Sequence, residues 1–164
     1  MVKGISGFAC VDFLTLLVTM TASHDSDADL DAGRPWEVVV ERGKIAEFAE
    51  AMLSDEPVYR GPAAIIPPTF LTSAARWAPQ GARVNVGFDR KRLLHGEQEY
   101  TFHAEVPGAG DVLTARERIV ERYSKPGKRG GEMRFATVVT EYRDAEGTLV
   151  AEAKATFIET AARS

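Results

Sequence analysis

One short stretch of helical periodicity, followed by a long run of strand periodicity, limits this chain more than any other feature. In residues 42–52, Ile45, Phe48, Ala49 and Met52 recur at i, i+3, i+4 and i+7, which places them on one helix face. Lys44, Glu47 and Glu50 fall elsewhere and face water. Ser54-Asp55-Glu56-Pro57 predicts the stop, because proline cannot continue a helix and disfavours helical geometry at the residue before it. Pro67-Pro68-Thr69 opens a second predicted helix over 69–77. A lone amphipathic helix cannot bury its apolar face by itself, so the sheet that follows is expected to wrap around it.

The strands are read from period-two alternation. Residues 35–41 form a short strand with Trp36, Val38 and Val40 on one side. A weak strand is predicted at 83–88, and Asp89 to Arg92 make a charged, solvated turn. The clearest alternation is 97–106, where Gln98, Tyr100, Phe102, Ala104 and Val106 share a face. His103 falls on the opposite, wet face. A long strand at 112–123 alternates poorly, which predicts a bulge. Residues 124–131 are a basic hairpin loop, and 132–143 a third long strand. The fourth, 148–159, carries Leu149, Ala151, Ala153, Ala155 and Phe157 on one face, small enough for a helix to approach closely.

Length and charge narrow the function. The 164 residues suffice for one domain with its own core. A net charge of -4 provides no electrostatic footprint for nucleic acid. The single cysteine, Cys10, allows no internal disulfide, and histidines at 24, 95 and 103 are too scattered for a metal cluster. No cofactor, no metal and a cytoplasmic location are therefore expected. Residues 1–34 do not match the rest. The apolar stretch 8–20 is too short to span a bilayer. It resembles a weak signal-peptide core with small residues at 21–23, but Asp12 and a single preceding charge argue for an ill-fitting extension, and no membrane association is expected. The acidic 24–33 reads as a linker. The expected organisation is an extension over 1–34 and one folded domain over 35–160.

A helix after the first strand, then five or six antiparallel strands, fits an α+β hot-dog fold, a curved sheet around one central helix. The segments VERGKIAEFAEAM, DEPVYR, PPTFL, LLHGEQEYTFH, GDVLTARERIVERYSKPGKRGGEMRF and EYRDAEGTLVAEAKATFIE, in that order, resemble the MaoC-like hot-dog dehydratases and hydratases of the N-terminal-half type. Mycobacterial 3-hydroxyacyl-thioester dehydratase subunits belong to that type.

The resemblance implies addition or removal of water across an acyl thioester of CoA or acyl carrier protein. In such a site an Asp and a His, spaced Asp-x-x-x-x-His, move the protons. A backbone N–H at the start of the next helix holds the thioester oxygen. Aligned on Pro57, this chain has Ser54 at the Asp position and Tyr59 at the His position. Ser54 is no carboxylate, and a tyrosine of ordinary pKa near ~10 is a poor base at neutral pH. The element that survives is the Thr69 amide behind Pro68. Segment 60–66, RGPAAII, is shorter than in relatives of this kind, which implies a more open acyl tunnel.

Three readings follow. In the first, the chain is the half without the dyad, shaping the acyl tunnel and pairing with a second MaoC-like chain. In the second, it is a self-sufficient homodimer using Asp55, Tyr59 or His95. In the third, it binds acyl thioesters without turnover. His95-Gly96 are candidate thioester contacts. Lys125, Lys128 and Arg129 are candidate contacts for CoA phosphates or an acidic carrier protein.

Overall fold

The computed structural model describes residues 31–128 and 130–162. Expectations for the first thirty residues, and for Arg129, lie outside that range. Five strands, β1 (Trp36–Val39), β2 (Leu93–Phe102), β3 (Val112–Pro126), β4 (Glu132–Arg143) and β5 (Leu149–Glu159), form one curved antiparallel sheet in the order β1-β3-β4-β5-β2. One α-helix, α1 (Arg42–Ala51), follows β1. The chain before β1 already belongs to the fold. Gly33 N–H donates to the Glu117 carbonyl, and Ile119 N–H to that of Asp31. A Cβ on Gly33 would stand 2.2 Å from the Ala82 carbonyl oxygen, so only glycine allows this close approach.

Alternation along each strand decides which side faces the core. Trp36 and Val38 of β1, Leu113 and Ala115 of β3, Tyr142 of β4, and Ala151 and Ala153 of β5 join Ile45, Phe70 and Leu71 in one buried cluster. The small alanines of β5 leave room beneath the segment after Thr69. Helix α1 has no side-chain N-cap and carries Gly43 in its first turn, so local propensity supports it weakly. Burial of Ile45 and Ala49, with Phe48 packed against the cluster, holds it in place.

The helix ends earlier than Pro57. Leu53 adopts φ 57°, its amide donates to the Glu50 carbonyl, and Ser54 N–H donates to Ala49. This pair of bonds is a Schellman turn, with leucine where glycine is preferred. Met52 therefore leaves the helix and is 41% exposed rather than buried with Ile45. Leu53 is 91% exposed, so its side chain gains nothing from packing to offset the left-handed backbone. Leu53→Gly is expected to stabilise the fold by about 1 kcal/mol. An unchanged or lower denaturant midpoint would contradict this account of the turn.

Other expectations shift for local reasons. The segment after Thr69 is a 3₁₀ helix, Phe70–Arg76, with i→i+3 bonds from Phe70 N–H to Pro67 and from Thr72 N–H to Thr69. The predicted strand at 83–88 is a loop. The Val84 amide is taken by the Glu117 carboxylate, and Gly87 has φ 71°. Strand β2 starts at Leu93 because Leu93 and Leu94 pair with Glu159 and Ile158, and a bulge follows at Gly96. It stops at Phe102, opposite Ala151 near the start of β5. The bulge expected in β3 falls between Ile119 and Glu121.

The turn at 89–92 is tied down rather than merely solvated. The buried Glu159 carboxylate accepts from the Asp89 amide at 2.8 Å and from Arg92 at 2.8 Å, and it also pairs with Arg134. The Asp89 N–H, with the two arginines, holds its carboxyl below the usual carboxylate range. A depressed folded pKa adds stability that is present above the unfolded value, near 4.5, and is lost as pH falls through the folded value. Glu159→Gln is thus expected to lower the melting temperature at pH 7, with the gap to wild type closing below about pH 4. A gap independent of pH would assign Glu159 a purely steric role.

Candidate active site

Thr69 meets Met52 at the C-terminal end of α1, and residues 53–60 follow from that end. The Thr69 hydroxyl lies 3.8 Å from the Met52 sulfur. Ser54 is half-buried. Its carbonyl accepts from Arg60 at 3.1 Å, and its hydroxyl lies 3.5 Å from the Glu56 amide. The Asp55 carboxylate is fully exposed and faces Arg60 at 3.5 Å. Tyr59, in a 3₁₀ turn Pro57–Tyr59, is half-buried against the core cluster. Ile65 N–H donates to the Val58 carbonyl and Ile66 N–H to Pro107, which pins segment 60–66 against the loop after β2.

Pro67 is buried, whereas Pro68 and Thr69 are exposed. Thr69 sits at φ −101°, ψ 6°, immediately before the 3₁₀ helix. No hydrogen bond from its N–H to another described residue is found, and Thr69 is an exposed residue. Ser73, one turn on, donates its hydroxyl to the Phe70 carbonyl at 2.6 Å. Phe70 anchors the segment. It is 1% exposed, with ring centroids 5.5 Å from Phe48 and 5.9 Å from Trp77.

The underside of the same segment roofs a cavity of about 220 Å³ against the sheet. Leu71, Thr72 and Ala75 form the roof, and β2 to β5 form the floor. His95 reaches this cavity, its ring 5.3 Å from that of Phe157. Gly96 beside it occupies the bulge, where a Cβ would meet the Ile158 Cδ1 at 2.6 Å. The Tyr142 hydroxyl donates to the Leu71 carbonyl at 3.2 Å. Burial pushes this phenol above the usual tyrosine range and keeps it a protonated donor.

Glu117, 3% exposed, also lines the cavity. One of its oxygens accepts from Arg83 Nε at 2.8 Å and the other from the Val84 amide at 3.1 Å. The alternation Leu113, Ala115, Glu117, Ile119 is the signal that puts this carboxylate on the inner face. His95 and Glu117 share the cavity, but no hydrogen bond joins them among the described residues.

The candidate phosphate contacts lie elsewhere. Lys125 sits over the stacked rings of Tyr123 and Phe135, at 4.9 and 5.5 Å from their centroids, and Lys128 is exposed in the hairpin beyond. Lys125 pairs with Met133, nine strand positions from Tyr142 and therefore roughly 30 Å along the sheet. The structure does not bring these lysines together with Thr69 of the same chain. A larger cleft, about 690 Å³, lies between residues 63–65, 104–113 and 144–146. It is lined by Glu105, Asp111, Asp144 and Glu146, which repel a phosphate-bearing ligand. Among the described residues, no three His, Cys, Asp or Glu are placed to hold a metal ion. No described helix is long and apolar enough to cross a membrane.

A curved five-stranded antiparallel sheet with one helix after its first strand defines a hot-dog protein of the MaoC-like dehydratase group. The family model for the FAS1-like dehydratase domain region matches residues 31–153, and the chain belongs to that family. It is 32% identical over 130 residues to a "UPF0336 protein" of Saccharopolyspora erythraea, covering 73% of this chain and 80% of that one. It is 36% identical over 104 residues to a protein of the same name from Thermobifida fusca, covering 57% and 66%.

Among solved structures, a chain of the Mycobacterium tuberculosis HadBC (3R)-hydroxyacyl-ACP dehydratase complex superposes with TM-score 0.60 at 24% identity, covering 77% of this chain and 95% of that one. A chain of the ChsH1-ChsH2 complex from the same organism gives 0.60 at 16% identity, covering 84% and 89%. The MaoC-like dehydratase of Rhodospirillum rubrum gives 0.57 at 12%, covering 82% and 93%. At these identities the superpositions establish the fold.

Proposed function

We propose that this chain is the half of an enoyl-thioester hydratase or (R)-3-hydroxyacyl-thioester dehydratase that lacks the acid/base pair. It holds the acyl group and works with a second MaoC-like hot-dog chain that supplies Asp and His. The observation that carries this reading is a Thr69 amide with no hydrogen-bond partner among the described residues, beside a helix end that offers only Ser54 and Tyr59 at the dyad positions. A polarised thioester oxygen needs such a donor, but C2 proton transfer also needs a base of suitable pKa. Asp55 is committed to solvent and Arg60, and Glu117 to Arg83 and Val84. The two-chain complexes among its structural relatives, HadBC and ChsH1-ChsH2, support a hot-dog partner.

The reaction interconverts a trans-2-enoyl and a 3-hydroxyacyl thioester, carried on CoA or acyl carrier protein, in the cytoplasm. The partner is sought by co-expressing the chain with hot-dog proteins carrying Asp-x-x-x-x-His and encoded beside it. A stable 1:1 complex on size exclusion is expected. Failure of every such chain to associate, together with a stable homodimer, would contradict the reading.

One observation favours a second reading. His95 reaches the cavity beneath the segment that Thr69 opens, so a homodimer using this imidazole is the alternative. It predicts that His95→Ala abolishes turnover by the chain alone. The two-chain reading predicts no turnover there to abolish.

A further inference from the structure

The cavity under Phe70–Arg76 differs from the rest of the core in its chemistry. One rung across four strands runs Tyr100, Ala153, Thr140, Glu117, each directly opposite the next. The rung on one side reads Phe102, Ala151, Tyr142, Ala115, and the rung on the other reads Gln98, Ala155, Val138, Ile119. The alanines of β5 create the hollow. The residues flanking it bring hydroxyls, an amide and an ion pair where a plain core would bring Leu and Val.

Three of these groups have spare capacity. No hydrogen bond from the Tyr100 or Thr140 hydroxyl to another described residue is found, yet neither is sealed in protein, because both line the cavity. Gln98 donates to the Lys154 carbonyl at 3.2 Å, and its own carbonyl oxygen remains to accept. Water satisfies such groups when the cavity is empty. An alkyl chain entering would expel that water and leave the hydroxyls unpaired, whereas a chain bearing an oxygen replaces the lost bonds.

We infer that this cavity receives the oxygenated part of an acyl chain, one carrying a hydroxyl or carbonyl away from the thioester, in preference to a plain alkyl chain. Tyr100, Thr140 and Gln98 are its recognition groups. The inference rests on the acyl-thioester reading above and names its substrate class. Size agrees with a terminal subsite rather than a whole-ligand pocket. The 220 Å³ equals roughly seven water volumes, below the range typical of complete ligand sites. The thioester itself stays outside, where Thr69 opens the roofing segment two residues before Leu71.

The test compares matched probes on the full chain in complex with its partner. Octanoyl-, decanoyl- and dodecanoyl-CoA are titrated beside their ω-hydroxy counterparts, with affinity read by calorimetry. The hydroxylated member of at least one pair is expected to bind about tenfold tighter, the value of one net hydrogen bond. Thr140→Val, which keeps shape, and Tyr100→Phe are each expected to bring that ratio toward one. Equal or tighter binding of the alkyl member at every length, or a ratio untouched by both variants, overturns the inference and leaves the acyl-thioester reading standing. Absence of binding by all six thioesters defeats both.

Discussion

Phe70→Ala is expected to remove about 3–5 kcal/mol of stability, the range for truncating a fully buried aromatic side chain. Phe70 is 1% exposed and meets Phe48 edge-on and Trp77 at a tilt, so it joins α1 to the segment over the cavity. Its loss leaves a void bounded by rigid sheet on one side, where collapse is limited. A domain of this size has roughly 5–15 kcal/mol in all, so the melting temperature is expected to fall by roughly 10 °C or more. Phe48→Ala, at a half-buried site, is expected to cost clearly less. Denaturant unfolding followed by tryptophan fluorescence, with Trp77 beside the void, measures both. A Phe70→Ala loss under about 1 kcal/mol would mean that the segment is not anchored by this ring.

Thr69→Pro is the functional counterpart. Proline has no N–H, so the variant deletes the one donor proposed for the thioester oxygen. That amide makes no bond to the described residues in the free protein, so its removal costs the fold no backbone hydrogen bond. Loss of one oxyanion donor lowers kcat by on the order of 10²–10³ in well-studied sites, and a drop of that order is expected in the reconstituted two-chain enzyme. Thr69→Ala keeps the N–H and is expected to retain most activity. If the two variants lose activity equally, the hydroxyl or local shape matters and the amide does not.

Much of the frame was legible in the residues. Strand β4 follows the predicted 132–143, because its inner positions are apolar and a turn closes each end. The order helix, then sheet, then central burial of Ile45 followed from one periodicity change. Where the reading missed, competing local chemistry is responsible. Proline at 57 was a visible helix stop, but a leucine at φ 57° stopped the helix first, and nothing in a leucine announces that backbone. Met52 fitted the apolar stripe and lost its place on the helix to that same turn.

The span 83–88 has strand-forming valines, yet a carboxylate 34 positions away from Arg83 pairs with that arginine and takes the Val84 amide that a neighbouring strand needs. Long-range pairing of that kind leaves no local trace. The site divides in the same way. Ser54, Tyr59 and Thr69 are read from motif spacing, and of the helix-end residues it is Met52 that Thr69 touches. The polar rung of Tyr100, Thr140 and Glu117 depends on the register of four strands. Each residue looks ordinary until its neighbours across the sheet are known.

Catalysis shared between two chains is the claim on which the rest depends, and rate comparison tests it most directly. Hydration of crotonyl-CoA and a longer enoyl-CoA is followed for this chain alone, for the dyad-bearing partner alone, and for the two mixed. The account predicts background rates for this chain by itself and a rise of about 10²–10⁴-fold on mixing, the contribution expected of positioned acid and base groups. Full turnover by the purified single chain, unchanged when the partner is added, would contradict it.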